Sequence, residues 1–172
     1  AQAAAMAMGR AMDDVIIAAA TGTAFTGETG ATSTAAQTAI AAGGAGLTIA
    51  KLRTAKQTFD LASVDPSIPR HIVVGPEQIT NLLSTTEVTS SDFNTVKALV
   101  QGEIDSFLGF KFTVSNRLAK SGNDRTCIAF AQDGITLAIG KDVSARIDER
   151  ADKSYATQVY YCQSIGATRM EE

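Results

Sequence analysis

The chain has 172 residues with 45% hydrophobic and 19% charged side chains, enough to bury a core in one domain or in one compact body with a small satellite. Aromatics reach only 6% with no Trp, so Ala, Val, Ile and Leu carry the apolar content; the composition is globular, neither disordered nor membrane-like. A formal net charge of −3, a pI near 5.2 and no Lys/Arg cluster longer than a pair argue against sequence-specific nucleic-acid binding.

Residues 3 to about 20 read as a helix, because Met8, Met12, Val15, Ile16 and Ala19 recur at helical spacing with Arg10, Asp13 and Asp14 between them. Gly22 ends it. From Thr21 to Gly46 the sequence is mostly Gly, Ala, Thr and Ser around the single charge of Glu28, with no periodicity, and so predicts a long loop that something covers or that moves. The chain opens without Met and already in helical sequence, which suggests that residues ahead of it have been removed or left out. AQAAAMAMGR has no cationic region before an apolar stretch, and no run of about eighteen apolar residues occurs, so neither a secretory signal nor a membrane span is expected.

Thr48 is placed to cap a second helix carrying Ile49, Leu52, Ala55 and Phe59 on one face. Pro66 and Pro69 interrupt the chain before the short β-branched strand HIVV, 71 to 74. Gly75-Pro76-Glu77 is a helix start: proline needs no amide partner there, and the carboxylate meets the positive end of the dipole. Ile79, Leu82 and Leu83 form the buried stripe of that helix. After the polar stretch 84 to 94, Val96, Leu99 and Val100 predict a short helix closed by Gly102. Strands follow: Phe110, Phe112 and Val114 alternate with Lys111, Thr113 and Ser115, then come TCIAFA, ITLAIG after the turn Gln132-Asp133-Gly134, VSARIDER and SYATQVYYCQSIGAT. Helices in the first half and antiparallel strands in the second make an α+β chain.

Catalytic chemistry finds little support. His71, the sole histidine, enters an apolar strand with no patterned cysteine or carboxylate nearby, and Asp13-Asp14 point about 100° apart on a helix with no third oxygen ligand to share a metal. Gly43-Gly44-Ala45-Gly46 lacks both the preceding strand and the Gly-Lys-Ser/Thr ending of a phosphate loop, and Gln163-Ser164-Ile165-Gly166 lacks the first glycine of a nucleophile elbow. Cys127 and Cys162 lie in apolar runs and read as small buried hydrophobes in a reducing compartment. No catalytic residue, metal or cofactor is expected; a hydrolase built on Ser164 or His71 is the alternative from another class.

Two stretches, ALVQGEIDSFLGFKFTVSNRL at 98 to 118 and IGKDVSARIDERADKSYATQVYYCQSIGATRMEE at 139 to 172, resemble the major capsid proteins of tailed bacteriophages and prophages that share the Hong Kong 97 coat fold. AMGRAMDDVIIAAATGTAFTGETG at 7 to 30 is similar to the end of that family's spine helix and the loop after it. The resemblance implies an α+β fold with a mixed sheet and flanking helices in an axial domain at 23 to 140, and a peripheral domain made of 1 to 22 and 141 to 172. It implies a structural coat subunit in the virion capsid, assembled in the bacterial cytoplasm into pentamers and hexamers of an icosahedral shell around phage DNA. The partners are copies of itself, with scaffolding or portal proteins as further candidates. The stretch 84 to 94 corresponds to the loop at the capsomer axis and 148 to 154 to the hairpin tip facing neighbouring capsomers. The family's N-terminal arm and extended hairpin have no counterpart here.

Arg10, Asp14, Glu87, Asp92, Arg146, Asp148, Arg150, Asp152 and Lys153 are the expected subunit interface. VSARIDER sets Arg146, Asp148 and Arg150 on one strand face, where opposite signs suit register between copies; a merely solvated face is the equal alternative. The small-residue loop is easily buried against a neighbour, with a simply flexible loop as the alternative. A tail or decoration component is the rival within phage structural proteins.

Overall fold

A computed structural model describes residues 2–36, 40–84 and 106–170, apart from the side chain of Leu83. The chain divides into two compact units, one built from residues 1–35 and 135–171 and the other from 36–134.

The second unit holds the core. Helix α2 (Ile49–Leu61) is capped as expected, the Thr48 hydroxyl accepting from the Lys51 amide at 3.4 Å, and it buries Ile49 and Leu52. Strand β3 (Arg70–Val74) buries Arg70, Ile72 and Val74 on one side and leaves His71 and Val73 half-buried on the other. Helix α3 (Pro76–Leu83) starts at Gly75 with Pro at its first position and Glu77 in its first turn. Strands β4 (Ser106–Phe107), β5 (Phe110–Val114) and β8 (Ile128–Ala131) complete a four-stranded sheet in the order β4-β5-β3-β8. Ile49, Leu52, Ile72, Val74, Leu82, Phe110 and Phe112 form its buried cluster, with Leu47, Ala55, Phe59 and Ile79 packed against it.

The sheet is mixed, as the resemblance implies: β3 runs parallel to β5 and antiparallel to β8. A parallel partner needs a crossover, which begins with α3; periodicity within a strand carries no information about its neighbour's direction. Between β4 and β5, Leu108 and Gly109 take φ of 53° and 84°, the left-handed pair that a two-residue hairpin turn needs. Strands β6 (Lys120–Ser121) and β7 (Asp124–Arg125) form a small hairpin. The predicted helix around Val96, Leu99 and Val100 lies outside the described residues.

In the first unit, helix α1 (Gln2–Thr21) packs on β10 (Ala156–Arg169) and β9 (Ile135–Arg150), which pair antiparallel as a long ribbon. ITLAIG and VSARIDER are thus one continuous strand of 16 residues, not two. The apparent break at Lys141-Asp142 is absorbed by register shifts between Cys162 and Ser164 and between Ser164 and Ile165, where β9 carries the extra residues. The expected loop at 21 to 46 also contains order, because β1 (Ala24–Thr26) and β2 (Thr32–Thr34) pair around a turn with Gly27 and Gly30 at positive φ. The Arg169 guanidinium ties this hairpin to the ribbon by donating to the Thr34 carbonyl at 2.9 Å.

Candidate assembly surface

The outer half of the β9–β10 ribbon has no cover within the described residues: every residue from 145 to 160 is exposed. An isolated two-stranded ribbon is marginal in water, so this segment is a surface that asks for a partner. The need extends to the whole first unit, whose described residues include none that is buried; all the buried hydrophobics belong to the second.

Cross-strand pairing assigns the two faces. Arg146 is opposite Tyr160, Asp148 opposite Gln158 and Arg150 opposite Ala156, so these share one face; with Lys141 and Ser144 the first four of these residues line a shallow groove of about 480 Å³. The other face carries Ile147 opposite Val159, Ala145 opposite Tyr161, and Glu149 opposite Thr157. Ile147 is 68% and Val159 50% exposed, an unusual display for aliphatic side chains held together by register.

Arg146, Asp148 and Arg150 therefore do stand on one face, as alternation implies. At the tip, Arg150 reaches into the turn that follows its strand and grips Asp152, Nε to Oδ1 at 2.8 Å with a second contact from Nη2 to Oδ2, and holds the Asp152 carboxyl below its ordinary range. Lys153 is exposed in the short turn Ala151–Lys153, and the chain reverses through Ser154 and Tyr155, both at positive φ. Tyr155 is 73% exposed. Arg10 and Asp14 are on α1, exposed and half-buried respectively. Glu87 and Asp92 lie outside the described residues. The apolar face is what sequence reasoning missed: the same alternation that displays Arg146 and Asp148 puts Ala145 and Ile147 in the opposite phase, and Val159 and Tyr161 repeat it on the partner strand.

The two residues of the hydrolase alternative belong to different units. His71 stacks on Phe130 with ring centroids 5.6 Å apart and planes at 21°, while Ser164 is exposed on β10 beside Gly140 in the other unit. No group of three metal-ligating side chains occurs among the described residues, and no described helix is long and apolar enough to cross a membrane. Both cysteines are free and half-buried, in different settings. Cys127 packs against the core, where burial raises its thiol pKa. Cys162 is not the buried hydrophobe expected; hydrogen bonding to Tyr160, then to Lys141, lowers its thiol pKa.

Comparison with known proteins bears on this surface. A family described as phage capsid protein matches residues 1–172. Among solved structures the chain is similar to one from Mycobacterium phage Che8, with a TM-score of 0.66 and 21% identity over 99% of this chain and 59% of that one. It is also similar to the capsid structure of cyanophage P-SCSP1u, with a TM-score of 0.62 and 18% identity over 99% of this chain and 62% of that one. The chain thus spans about 60% of the length of these structures. No curated protein matches it.

Proposed function

The chain belongs to the phage capsid protein family, and from that premise we propose that it is a structural major capsid subunit that self-assembles into the icosahedral head shell around phage DNA. The family is one of structural capsid proteins, which implies a non-enzymatic role, self-assembly into capsomers and a place in the virion. The observation that carries the proposal is the first unit: a helix and a long ribbon with no buried residue among those described, the outer half of the ribbon exposed on both faces. A monomeric enzyme has no use for such a surface, whereas a shell subunit needs broad, individually modest contacts that sum over many copies.

In this reading residues 1–22 and 141–172 serve as the peripheral domain and 23–140 as the axial domain. Pentamers and hexamers assemble in the host cytoplasm, with scaffolding or portal proteins as further partners and without sequence-specific DNA contacts. Arg10, Asp14, Glu87, Asp92, Arg146, Asp148, Arg150, Asp152 and Lys153 contribute to the contacts between copies. Of these, Arg146 and Asp148 have the best claim, because they share the ribbon's charged face, while Arg150 and Asp152 already satisfy each other at the tip.

Expression at natural length in a bacterial host, followed by size-exclusion chromatography and electron microscopy, tests the proposal. Capsomer rings or closed shells are expected. A product that remains monomeric, forms tubes, or only decorates preformed shells would overturn it.

A further inference from the structure

We propose that the apolar face of the ribbon is a self-complementary contact, on which Ile147 and Val159 of one copy pack against Ile147 and Val159 of a second copy whose ribbon points the opposite way. The inference rests on the capsid reading and deepens it, since it assigns adhesion to a face other than the charged one on which Arg146, Asp148 and Arg150 stand.

Three observations lead to a second copy as the occupant. The face is two strands wide and centred on a cross-strand aliphatic pair, Ile147 opposite Val159, exposed at 68% and 50%. Ala145 and Tyr161 continue it on one side and Glu149 and Thr157 on the other, so an identical patch, turned over, presents aliphatic surface to aliphatic surface. The charge pattern then fixes the direction. With both ribbons pointing the same way, the two Glu149 carboxylates gather at one end of a desolvated contact. With the ribbons opposed, Ile147 lies over its own copy and each Glu149 lies over Ala145 of the other chain, which puts the two carboxylates at opposite ends of the patch. Four residues of strand separate those ends, ~13 Å. Tyr161, the cross-strand neighbour of Ala145, then offers its hydroxyl as a donor beside the incoming carboxylate.

Sedimentation velocity on the full chain over a concentration series provides the test, with circular dichroism confirming the fold of each variant. Ile147→Asp and Val159→Asp should each weaken self-association by about tenfold or more, as expected when one buried aliphatic side chain is lost from a contact. Ala145→Lys and Ala145→Glu test the direction. Lysine there should tighten association several-fold in a salt-sensitive way and glutamate should loosen it, because within one ribbon position 145 is too far from Glu149 to feel its charge. Ile147→Asp protein that associates like the parent overturns the contact, and equal effects of lysine and glutamate at 145 overturn its antiparallel direction. Shells that form equally well with Ile147→Asp overturn the contact alone. An Ile147-sensitive dimer that never gives shells counts instead against the capsid reading.

Discussion

Arg70 shows how a single side chain organises the core-bearing unit. It is only 7% exposed on the apolar side of β3, where a cation is tolerated only when its donors are satisfied. Its Nη1 donates to Asp60 Oδ1 at 2.8 Å, its Nη2 to the Val64 carbonyl at 3.1 Å, and its guanidinium lies 5.4 Å from the centre of the Phe59 ring, which itself meets Phe110 edge-tilted at 5.9 Å. One residue thus joins the end of α2, the Pro-containing turn and the sheet. Asp60 is half exposed, so its share is discounted for solvent, yet removing it strands part of a buried charge. Asp60→Ala should lower unfolding stability by about 1–2 kcal/mol, measured by urea titration, and Asp60→Asn should lose less because an amide oxygen still accepts. An unchanged denaturation midpoint for Asp60→Ala would show that Val64 and the aromatic ring suffice. Little of this was legible in the sequence: HIVV reads as a strand from its β-branched residues, but which face Arg70 takes is set by partners six to eleven residues back along the chain.

At the scale of elements, the sequence was most legible where local chemistry decides. Thr48 as a cap, Pro76 at a helix start and the alternation of Phe110 and Phe112 each act through neighbours in the chain, and α2, α3 and β5 stand where those signals put them. Order in the Gly/Ala/Thr stretch was not legible, because β1 and β2 have no alternation to show and are held by pairing and by Arg169 from far along the chain. The loop before α2 has a similar long-armed support. Lys51 Nζ donates to the carbonyls of Ala42, Ala45 and Gly46 at 2.7, 2.6 and 2.8 Å, while Gly43 and Gly44 take positive φ so that the carbonyls converge on it. Three charge-assisted bonds from one ammonium fix a segment with almost no side chains of its own to pack. Lys51→Met should leave α2 folded and cost about 1.5–3 kcal/mol locally. Hydrogen exchange at residues 42–47 should rise while exchange in α2 is unchanged, and no change in the loop would mean that its glycine turns hold without the clasp.

For the whole molecule, the uneven placement of the core has a thermodynamic consequence. Hydrophobic burial is the main favourable term in folding, and among the described residues all the buried hydrophobic ones belong to the unit of residues 36–134. The unit of residues 1–35 and 135–171 relies on half-buried contacts between α1 and the ribbon, so its local opening free energy should sit near the low end of the range within one protein. A partner that binds only the ordered ribbon then stabilises it by mass action, and ordering becomes part of assembly. Below the association threshold, amides of residues 143–160 should exchange within seconds, while β3, β5 and α2 stay protected for on the order of an hour or more. In assembled particles the ribbon should become protected by about a hundredfold or more, with little change in the four-stranded sheet. Hydrogen exchange read by mass spectrometry on both states decides it: a ribbon equally protected before and after assembly would mean that its stability is internal, and that its exposed aliphatic face needs another explanation.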